Sequence, residues 1–490
     1  MKNKKHILII PAVVLLFSTS CKKYLDQAPD QRTQLNTVQK VSEILGTAYT
    51  QADYATFAEA ASDNAEDKGV NVGSLDPLNQ DAYLWQDVQS RDGGSPTAFW
   101  NASYAAIAAA NAALDAIAVV KDPAPYQPYK GEALLARAYA HFMLVILYAK
   151  PFEPGGTNDS PGIPYVLTSE KVVFQKYSRG TVGDTYAQIE KDLQEGLPLI
   201  KNSAYQVPKY HFNQAAAYAF AARFYLFKKE YDKVIQYASA AFPGNSFAAN
   251  IRPWNTRYYN SSANEMQIMF TQAAENSNLL LTEAPSAWAR SYAFYRYGMG
   301  LKLNVALQQP NVTGTNFSGR KLYSYGAPNY TYLKFNELFI RSSPNANIGI
   351  PYTIMPQFTT DELLMNRAEA YANTGQYDEA LADINTFAST RIYNYNPSTR
   401  AVTLAKVASF YGTDDPREGL INTVLDFKKA EFIQEGLRWL DIIRLKLPVT
   451  HNIKAVNNVD SYVTLEPDDP RRLFQLPPEV SLSDVPLNPR

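Results

Sequence analysis

Residues 359–389, TTDELLMNRAEAYANTGQYDEALADINTFAS, carry two short helical patterns separated by Gly375. The stretch 214–241, QAAAYAFAARFYLFKKEYDKVIQYASAA, has the same organisation. One constant offset aligns the two stretches, and it pairs Tyr231 with Tyr377, Asp232 with Asp378, Ala222 with Ala368, Tyr225 with Tyr371 and Val234 with Ala380. Apolar and small residues recur every three to four positions in both, which predicts two pairs of packed helices.

The repeated unit looks like the tetratricopeptide helix–turn–helix, with small residues on the first helix and Ala380 packing on the second. Gly375 stands at the turn, whereas Lys229 replaces glycine in the earlier copy and makes that copy a weaker match. At least three stacked units are normally needed for a stable solenoid. We expect them from three stretches, 97–149, 181–241 and 359–445.

Capping residues and apolar spacing predict further helices. Ser95 and Pro96 are a typical helix start, followed by apolar residues at helical spacing up to Pro123. Residues 130–149 are apolar on nearly every side, which indicates a helix buried among others. Thr181 with Asp184 can cap the next helix.

The composition excludes several classes of protein. Among 490 residues, 46 lysines and arginines balance 47 acidic residues, so no basic surface for nucleic acid is expected. The single cysteine excludes an internal disulfide framework and a cysteine-rich zinc site. With only four histidines in the chain, a histidine-based metal centre is also not expected. The 34 tyrosines suit both half-buried packing and recognition surfaces.

The N-terminus predicts an exported lipoprotein. Lysines at positions 2, 4 and 5 precede an apolar run at 7–17, which is too short for the roughly 20 residues of a membrane span. Small residues at 18–20 lead to Cys21, the only cysteine, so residues 1–20 are predicted to be a removed signal peptide. This junction resembles the lipobox of bacterial lipoproteins, and the resemblance implies that Cys21 becomes the acylated first residue. An ordinary secretory signal with an accidental cysteine is the alternative.

The rest of the chain divides by pattern. Between about 245 and 355 the helical period fades and proline, glycine, asparagine and tyrosine dominate, which is typical of functional loops. We therefore predict five segments: the signal 1–20, a lipidated tether 21–34, a helical scaffold 35–244 with an aromatic loop at 64–95, an irregular ligand-binding region 245–355, and tetratricopeptide-like helices with a tail at 356–490.

Several ordered landmarks resemble the SusD/RagB-like outer-membrane lipoproteins of Bacteroidetes-type bacteria. The most specific is EGLRWLDIIR at 435–444. The others are Cys21–Asp26, Gly131–Ala133, Arg137–Tyr139, Gly162–Pro164, the stretch 181–199, Leu476–Pro477 and Asn488–Pro489. Together they run through nearly the whole mature chain in the expected order.

The resemblance implies an all-α scaffold of about four tetratricopeptide-like helix pairs carrying a variable ligand region. It implies a protein acylated at Cys21, on the outer membrane and at the cell surface, that captures nutrient oligosaccharide as the lid of a TonB-dependent transporter barrel. Lys22 and Lys23 depart from the acidic residues that favour surface export in these bacteria. The resemblance implies no catalysis and no cofactor.

Catalytic motifs are weak in this sequence. Glu431 and Glu435 lie four residues apart, as paired acids for glycoside hydrolysis might, but Arg438, Asp441 and Arg444 follow at three-residue steps. The row is better interpreted as one helix laced with salt bridges. His141 lies in an apolar helix and is predicted to be a core residue. No metal site is predicted.

A sugar site needs flat aromatic faces and hydrogen-bonding neighbours, because a pyranose presents apolar C–H faces and a rim of hydroxyls. Four loop stretches contain that mixture, including a row of rings at 288–297 with Tyr295 and Tyr297. The predicted ligand-binding residues are Trp85, Asp87, Arg91, Trp254, Tyr258, Trp288, Arg290, Tyr292, Tyr323 and Tyr325. Packing of these rings against the scaffold is the competing interpretation.

Two functions of different classes remain open from the sequence. The first is a surface lipoprotein that binds a nutrient, either a glycan or a peptide, and passes it to a transporter. The second is a lipid-anchored helical scaffold whose aromatic loops bind another protein.

Overall fold

The computed structural model describes residues 35–490 except residues 171, 173 and 174. The predicted signal peptide, Cys21 and the tether 21–34 lie outside the described residues. The helices are α1 Val38–Leu45, α2 Ala55–Ala61, α3 Pro77–Tyr83, α4 Pro96–Ala118, α5 Gln127–Tyr148, α6 Val182–Gly196, α7 Gln214–Phe227, α8 Tyr231–Ala241, α9 Ala263–Thr271, α10 Trp288–Ser291, α11 Leu301–Gln308, α12 Thr360–Asn373, α13 Tyr377–Ser389, α14 Pro397–Arg400, α15 Leu404–Tyr411, α16 Pro416–Glu431 and α17 Leu437–Leu445.

The strands form small antiparallel sheets. They are β1 Glu66–Asp67, β2 Asn278–Pro285, β3 Tyr297–Gly298, β4 Leu322–Ser324, β5 Tyr330–Tyr332, β6 Glu337–Arg341, β7 Gly349–Thr359, β8 Val449–Lys454 and β9 Asp460–Leu465. The largest described sheet has three strands in the order β2-β7-β6, and the others are the pairs β1-β3, β4-β5 and β8-β9. The predicted all-α class is confirmed, because these strands are accessory to a helical body.

Four helix pairs form that body: α4 with α5, α7 with α8, α12 with α13, and α15 with α16. Helix α6 packs on α5. The predicted caps are present, since Ser95 Oγ accepts from the Ala98 amide and Thr181 with Asp184 forms a capping box. The apolar segment Ala124–Tyr148 is long enough to cross a membrane, but its apolar stretch lies wholly inside the protein.

The two copies found in the sequence have matching bounds and lie side by side. Although they are far apart in the chain, α12 of the later copy packs on α7 and α8 of the earlier copy. The paired alanines Ala222 and Ala368 are fully buried, as is Val234 opposite Ala380. The chain between the copies therefore leaves the stack and returns to it.

The turn of each copy needs the same left-handed backbone. Gly375 has φ 77° and Lys229 has φ 57°. A left-handed conformation costs a residue with a Cβ about 1–2 kcal/mol, and glycine avoids that cost. Lys229 therefore keeps the turn of the earlier copy at the expense of some stability.

Residues 245–355 contain more regular structure than the sequence pattern indicates. Strand β2 is almost wholly buried and pairs with β7 along its length. Its short apolar run at 279–281 lacks alternation because both faces are covered, so periodicity does not identify it as a strand. Strand β7 continues to Thr359, so the boundary drawn at residue 356 falls inside it.

Glu431 and Glu435 do not share a helix. The expectation that the row 431–444 forms one helix with salt bridges between its side chains is therefore wrong. Helix α16 ends at Glu431 and α17 begins at Leu437. Positive φ angles at Gln434 and Gly436 interrupt the helical path between them. Within this row the described ion pair is the buried one between Asp441 and Arg444, and Arg444 also bonds Glu369. Glu431, Glu435 and Arg438 pair instead with residues elsewhere in the chain.

Substituting the turn residue of each copy should change the stability of the protein in opposite directions. We expect Lys229→Gly to raise the free energy of unfolding by about 0.5–1 kcal/mol, because it relieves the left-handed strain. Gly375→Ala should lower it by about 1 kcal/mol, and a Cβ there meets no atom within 4 Å, so the effect is purely conformational. Urea unfolding followed by circular dichroism measures both, and a destabilising Lys229→Gly would contradict this view of the turn.

Candidate functional site

Five of the predicted ligand-binding rings are buried in the core, so the expectation that they line an open site is wrong. They are Trp85, Trp254, Tyr258, Trp288 and Tyr292. Each is covered by neighbours from distant parts of the chain, and these neighbours could not be read from local sequence. Their packing attaches the region 245–355 and the loop 64–95 to the helical scaffold.

Trp254 and Tyr258 have buried polar partners. Trp254 Nε1 donates to Glu431 Oε1 at 2.7 Å. Tyr258 Oη donates to Glu275 at 2.8 Å and accepts from Arg252 at 2.8 Å. Their rings pack against each other, with centroids 4.7 Å apart. Both are structural side chains in this conformation.

Trp85 and Trp288 have main-chain partners, and Tyr292 packs beside Trp288. The Trp85 indole donates to the Ala61 carbonyl at 2.9 Å, and its ring stacks on His451 at 4.3 Å. The Trp288 indole donates to the Gln434 carbonyl at 2.8 Å. Burial raises the pKa of the Tyr292 hydroxyl well above its usual value. None of these three rings offers a free face to solvent.

The other five predicted residues lie at the surface. Asp87 accepts from Arg490 at 2.7 Å, Arg290 is ion-paired with Glu337, and Arg91 is ion-paired with Glu479. Tyr323 and Tyr325 are 42% and 49% exposed, with ring centroids 4.8 Å apart. These five side chains do not form one site.

One surface cleft joins two of the predicted stretches. It has a volume of about 390 Å³ and is lined by Thr56, Asp76, Pro77, Leu78, Gln89, Ser90, Arg91, Asp92, Gly93, Ser286, Ala287, Trp288 and Tyr295. We call it the Tyr295 cleft. Of the predicted residues, Arg91 lines it, and the edge of the buried Trp288 contributes to its floor.

Tyr295 supplies the accessible ring of the cleft. It is half-buried, and its ring lies 6.2 Å from that of Trp288 at an interplanar angle of 33°. Burial, with a smaller contribution from Asp76, raises the pKa of the Tyr295 hydroxyl to about 12, so it remains a neutral donor. Its backbone is fixed because Ser74 donates to the Phe294 carbonyl at 2.6 Å.

The polar side of the cleft is the loop 89–94. Ser90 Oγ accepts from the Asp92 amide at 3.2 Å, and the Ser95 amide donates to the Asp92 carbonyl at 3.0 Å. Gly94 has φ 86°, and a Cβ there would lie 2.9 Å from Thr56 Oγ1. Glycine is therefore required for the loop to reach helix α2 and present Gln89, Ser90 and Asp92 to the cleft.

A second aromatic surface lies on the other side of the segment 293–295. Phe294 is exposed and its ring lies 4.9 Å from that of Tyr325. Lys68 Nζ donates to the Ala293 carbonyl and to Asn329 Oδ1, both at 2.9 Å, and so joins the two loops beneath these rings. We call Phe294, Tyr323 and Tyr325 the tyrosine patch. Lys68 and Phe294 were not selected from the sequence.

Another cavity of about 380 Å³ lies between residues 150–160 and 467–473. Its described lining includes three prolines, Ile443 and several charged side chains, but no aromatic ring. Because a sugar site needs a flat apolar face, this cavity suits a sugar less well than the Tyr295 cleft does.

The two glutamates considered from the sequence, Glu431 and Glu435, do not form a paired-acid site. Glu431 is buried against Arg391 and Glu435 against Lys334, so the two carboxylates do not face an open cleft. Within residues 35–490, gaps excepted, no group of three or more histidine, cysteine or acidic side chains has the geometry to hold a metal ion. His141 is a core residue as predicted, and burial lowers its pKa to about 3.

Two family models match the chain. The SusD family model matches residues 218–473, and a SusD-like model described as starch-binding and associating with the outer membrane matches residues 23–226. The SusD-like protein P38 of Formosa agariphila is 22% identical, over 91% of this chain and 92% of that protein.

Solved structures of the same superfamily have this fold. A SusD superfamily protein from Bacteroides thetaiotaomicron superimposes with a TM-score of 0.69 at 18% identity, over 93% of this chain and 100% of that one. A laminarin-binding SusD-like protein gives a TM-score of 0.61 at 14% identity, over 92% and 97%.

Replacing one buried ring and one exposed ring should have very different effects on stability, and so distinguish a core residue from a surface residue. We expect Trp254→Ala to lower the free energy of unfolding by about 3–5 kcal/mol, because it leaves a cavity and removes a donor to Glu431. Tyr325→Ala should change it by less than about 0.5 kcal/mol, because the ring lies at the surface. Denaturant unfolding of both variants checks this, and equal effects would contradict the assignment of Trp254 to the core.

Proposed function

Since the chain belongs to the SusD family, we propose that it captures oligosaccharide at the cell surface and passes it to a TonB-dependent transporter without catalysis. We place the sugar in the Tyr295 cleft, with the tyrosine patch as an outlying contact. Both features combine aromatic rings, half-buried in the cleft and exposed in the patch, with hydrogen-bonding neighbours.

The observation that carries this proposal is the composition of the Tyr295 cleft. A phenol ring lies opposite Gln89, Ser90 and Asp92, whose amide, hydroxyl and carboxylate groups can bond sugar hydroxyls. The volume of about 390 Å³ is within the usual range of small-molecule sites. A pyranose ring packing on Tyr295 would direct its hydroxyl rim toward the loop 89–93.

The compared proteins support a glycan as the ligand. One matching family model is described as starch-binding, and one structural neighbour is described as laminarin-binding. Both descriptions concern glucans. The same family description, associating with the outer membrane, supports the proposed location. The proposed anchor is an acylated Cys21, which rests on the N-terminal sequence pattern.

A peptide ligand or a protein-assembly function is the second candidate. The observation in its favour is the hairpin of β6 and β7, where Leu338, Ile340 and Ile350 are exposed and Ile340 is paired across the strands with Ile350. An exposed apolar patch can mark a protein contact. This surface is compatible with docking on a transporter as well as with a scaffold role.

Removing the Tyr295 ring should weaken glycan binding. Stacking contributes about 0.5–1.5 kcal/mol per ring beyond area burial, so Tyr295→Ala should reduce affinity by about twofold to tenfold. Tyr325→Ala should have a smaller effect. A glycan array followed by calorimetry on the best neutral oligosaccharide measures this.

The matched control is Tyr462→Ala, which removes an exposed tyrosine from β9, outside both surfaces. It should bind like the wild type. Wild-type affinity in the Tyr295→Ala variant would move the site away from the cleft, and no glycan binding by the wild type would favour the peptide or assembly function.

A transporter partner should co-purify with the protein from native membranes. A helical-repeat body presents a large rigid face, which suits a broad and stable interface. We expect mild-detergent extraction to yield a complex with a β-barrel protein of larger mass, identified by mass spectrometry. Elution of the protein alone under several gentle conditions would contradict the lid role.

A further inference from the structure

The C-terminal tail contributes charge to the Tyr295 cleft. Glu479 lies in a short turn of the tail, Pro478–Ser483, and is ion-paired with Arg91 at the cleft. The last residue, Arg490, bonds Asp87 of the same loop at 2.7 Å. Two ion pairs from the tail thus contact the loop 87–91, and one of them involves Arg91, which lines the cleft.

The charges that face the cleft are few. Arg91 is the only lysine or arginine among the described residues that line it. The acidic lining residues are Asp76, which caps helix α3, and Asp92, whose carboxylate lies 3.3 Å from Ser90 Oγ. In the part of the chain that the structure describes, neither carboxylate forms a salt bridge. The charged lining residues, two aspartates and one arginine, already carry a net negative charge. Glu479 adds a further negative charge and is ion-paired with Arg91, the one cation among the described lining residues.

We propose that Glu479 gives the cleft its charge specificity, so that it accepts neutral oligosaccharides and rejects glycans carrying carboxylate or sulfate groups. This inference rests on the proposed function and names the class of glycan. An acidic sugar would meet Asp76 and Asp92 without a free cation to balance them. Rejection by like charge is a common source of specificity in binding sites.

The size of the effect follows from the exposure of these groups. The Arg91 and Glu479 side chains are 62% and 43% exposed, so solvent screens them and their ion pair adds little to stability. A unit charge a few ångströms from a bound anion still changes affinity on the order of threefold to tenfold in water. The change is therefore measurable without a change in fold.

The test uses Glu479→Gln, which removes the charge and keeps the shape. The control is Asp484→Asn, which removes another tail carboxylate, ion-paired with Lys176, that does not line the cleft. Wild type and both variants are compared on one array of laminari-, malto- and xylo-oligosaccharides with oligogalacturonates and alginate oligosaccharides. Titrations at low and high salt follow for members that bind.

We expect the wild type and Asp484→Asn to bind neutral members and to reject the acidic ones. Glu479→Gln should keep its neutral binding within about twofold and bind acidic members at least threefold more strongly than the wild type. That gain should shrink as salt rises, because exposed charges are screened.

Two results would overturn the charge specificity and leave the proposed function standing. The first is that the wild type binds acidic members as strongly as neutral ones. The second is that Glu479→Gln binds acidic members no more strongly than the wild type, while neutral binding persists and depends on Tyr295. If no protein binds any member of the array, the proposed function fails, and this inference fails with it.

Discussion

The buried carboxylate of Glu431 holds the region 245–355 on the helical scaffold. It ends helix α16, accepts from the Trp254 indole at 2.7 Å and is paired with Arg391 at 3.1 Å. Burial alone would raise the pKa of Glu431, but Arg391, Arg320 and Lys334 outweigh it and lower the pKa to about 2. Leaving such a charge unpaired typically costs about 3–5 kcal/mol, so each partner is held in place.

The same network extends through Arg391 to Asp361, which also accepts from Ser277 and from the Arg252 amide. Trp254, Arg252 and Ser277 come from the region between the two helical copies, whereas Asp361, Arg391 and Glu431 belong to the scaffold. Most aromatic rings of that region are buried and pack the region against the scaffold. The half-buried ring of Tyr295 and the exposed rings of Tyr323 and Tyr325 are carried by this attached region. Attachment of the region to the scaffold limits the ordering that binding would require.

The helical scaffold was predictable because its signals are local. The apolar spacing predicted the helices correctly, and the Ser95 cap and the Thr181–Asp184 capping box predicted where two of them begin. The two copies of the helix pair could also be aligned by sequence. Strand β2 was missed because its partner strand β7 lies far along the chain. Sequence pattern identified the loops around Arg91 and residues 288–297 as candidate site segments, and the cleft does lie between them.

The choice of rings within those segments failed for a physical reason. A tryptophan in an irregular segment has no periodicity to reveal its burial, and its indole partner can be any distant acceptor, as Glu431 is for Trp254. Among the rings at 288–297, only contacts in the folded chain distinguish the buried Trp288 and Tyr292 from the accessible Tyr295. The acidic tail residue Glu479 likewise reaches the cleft only through the fold.

A crystal structure of the protein saturated with a neutral oligosaccharide would show where the sugar binds. We expect a sugar ring within about 4 Å of the Tyr295 phenol, with its hydroxyls directed to the loop 89–93. Sugar bound instead in the cavity between residues 150–160 and 467–473, with the Tyr295 cleft empty, would contradict this expectation.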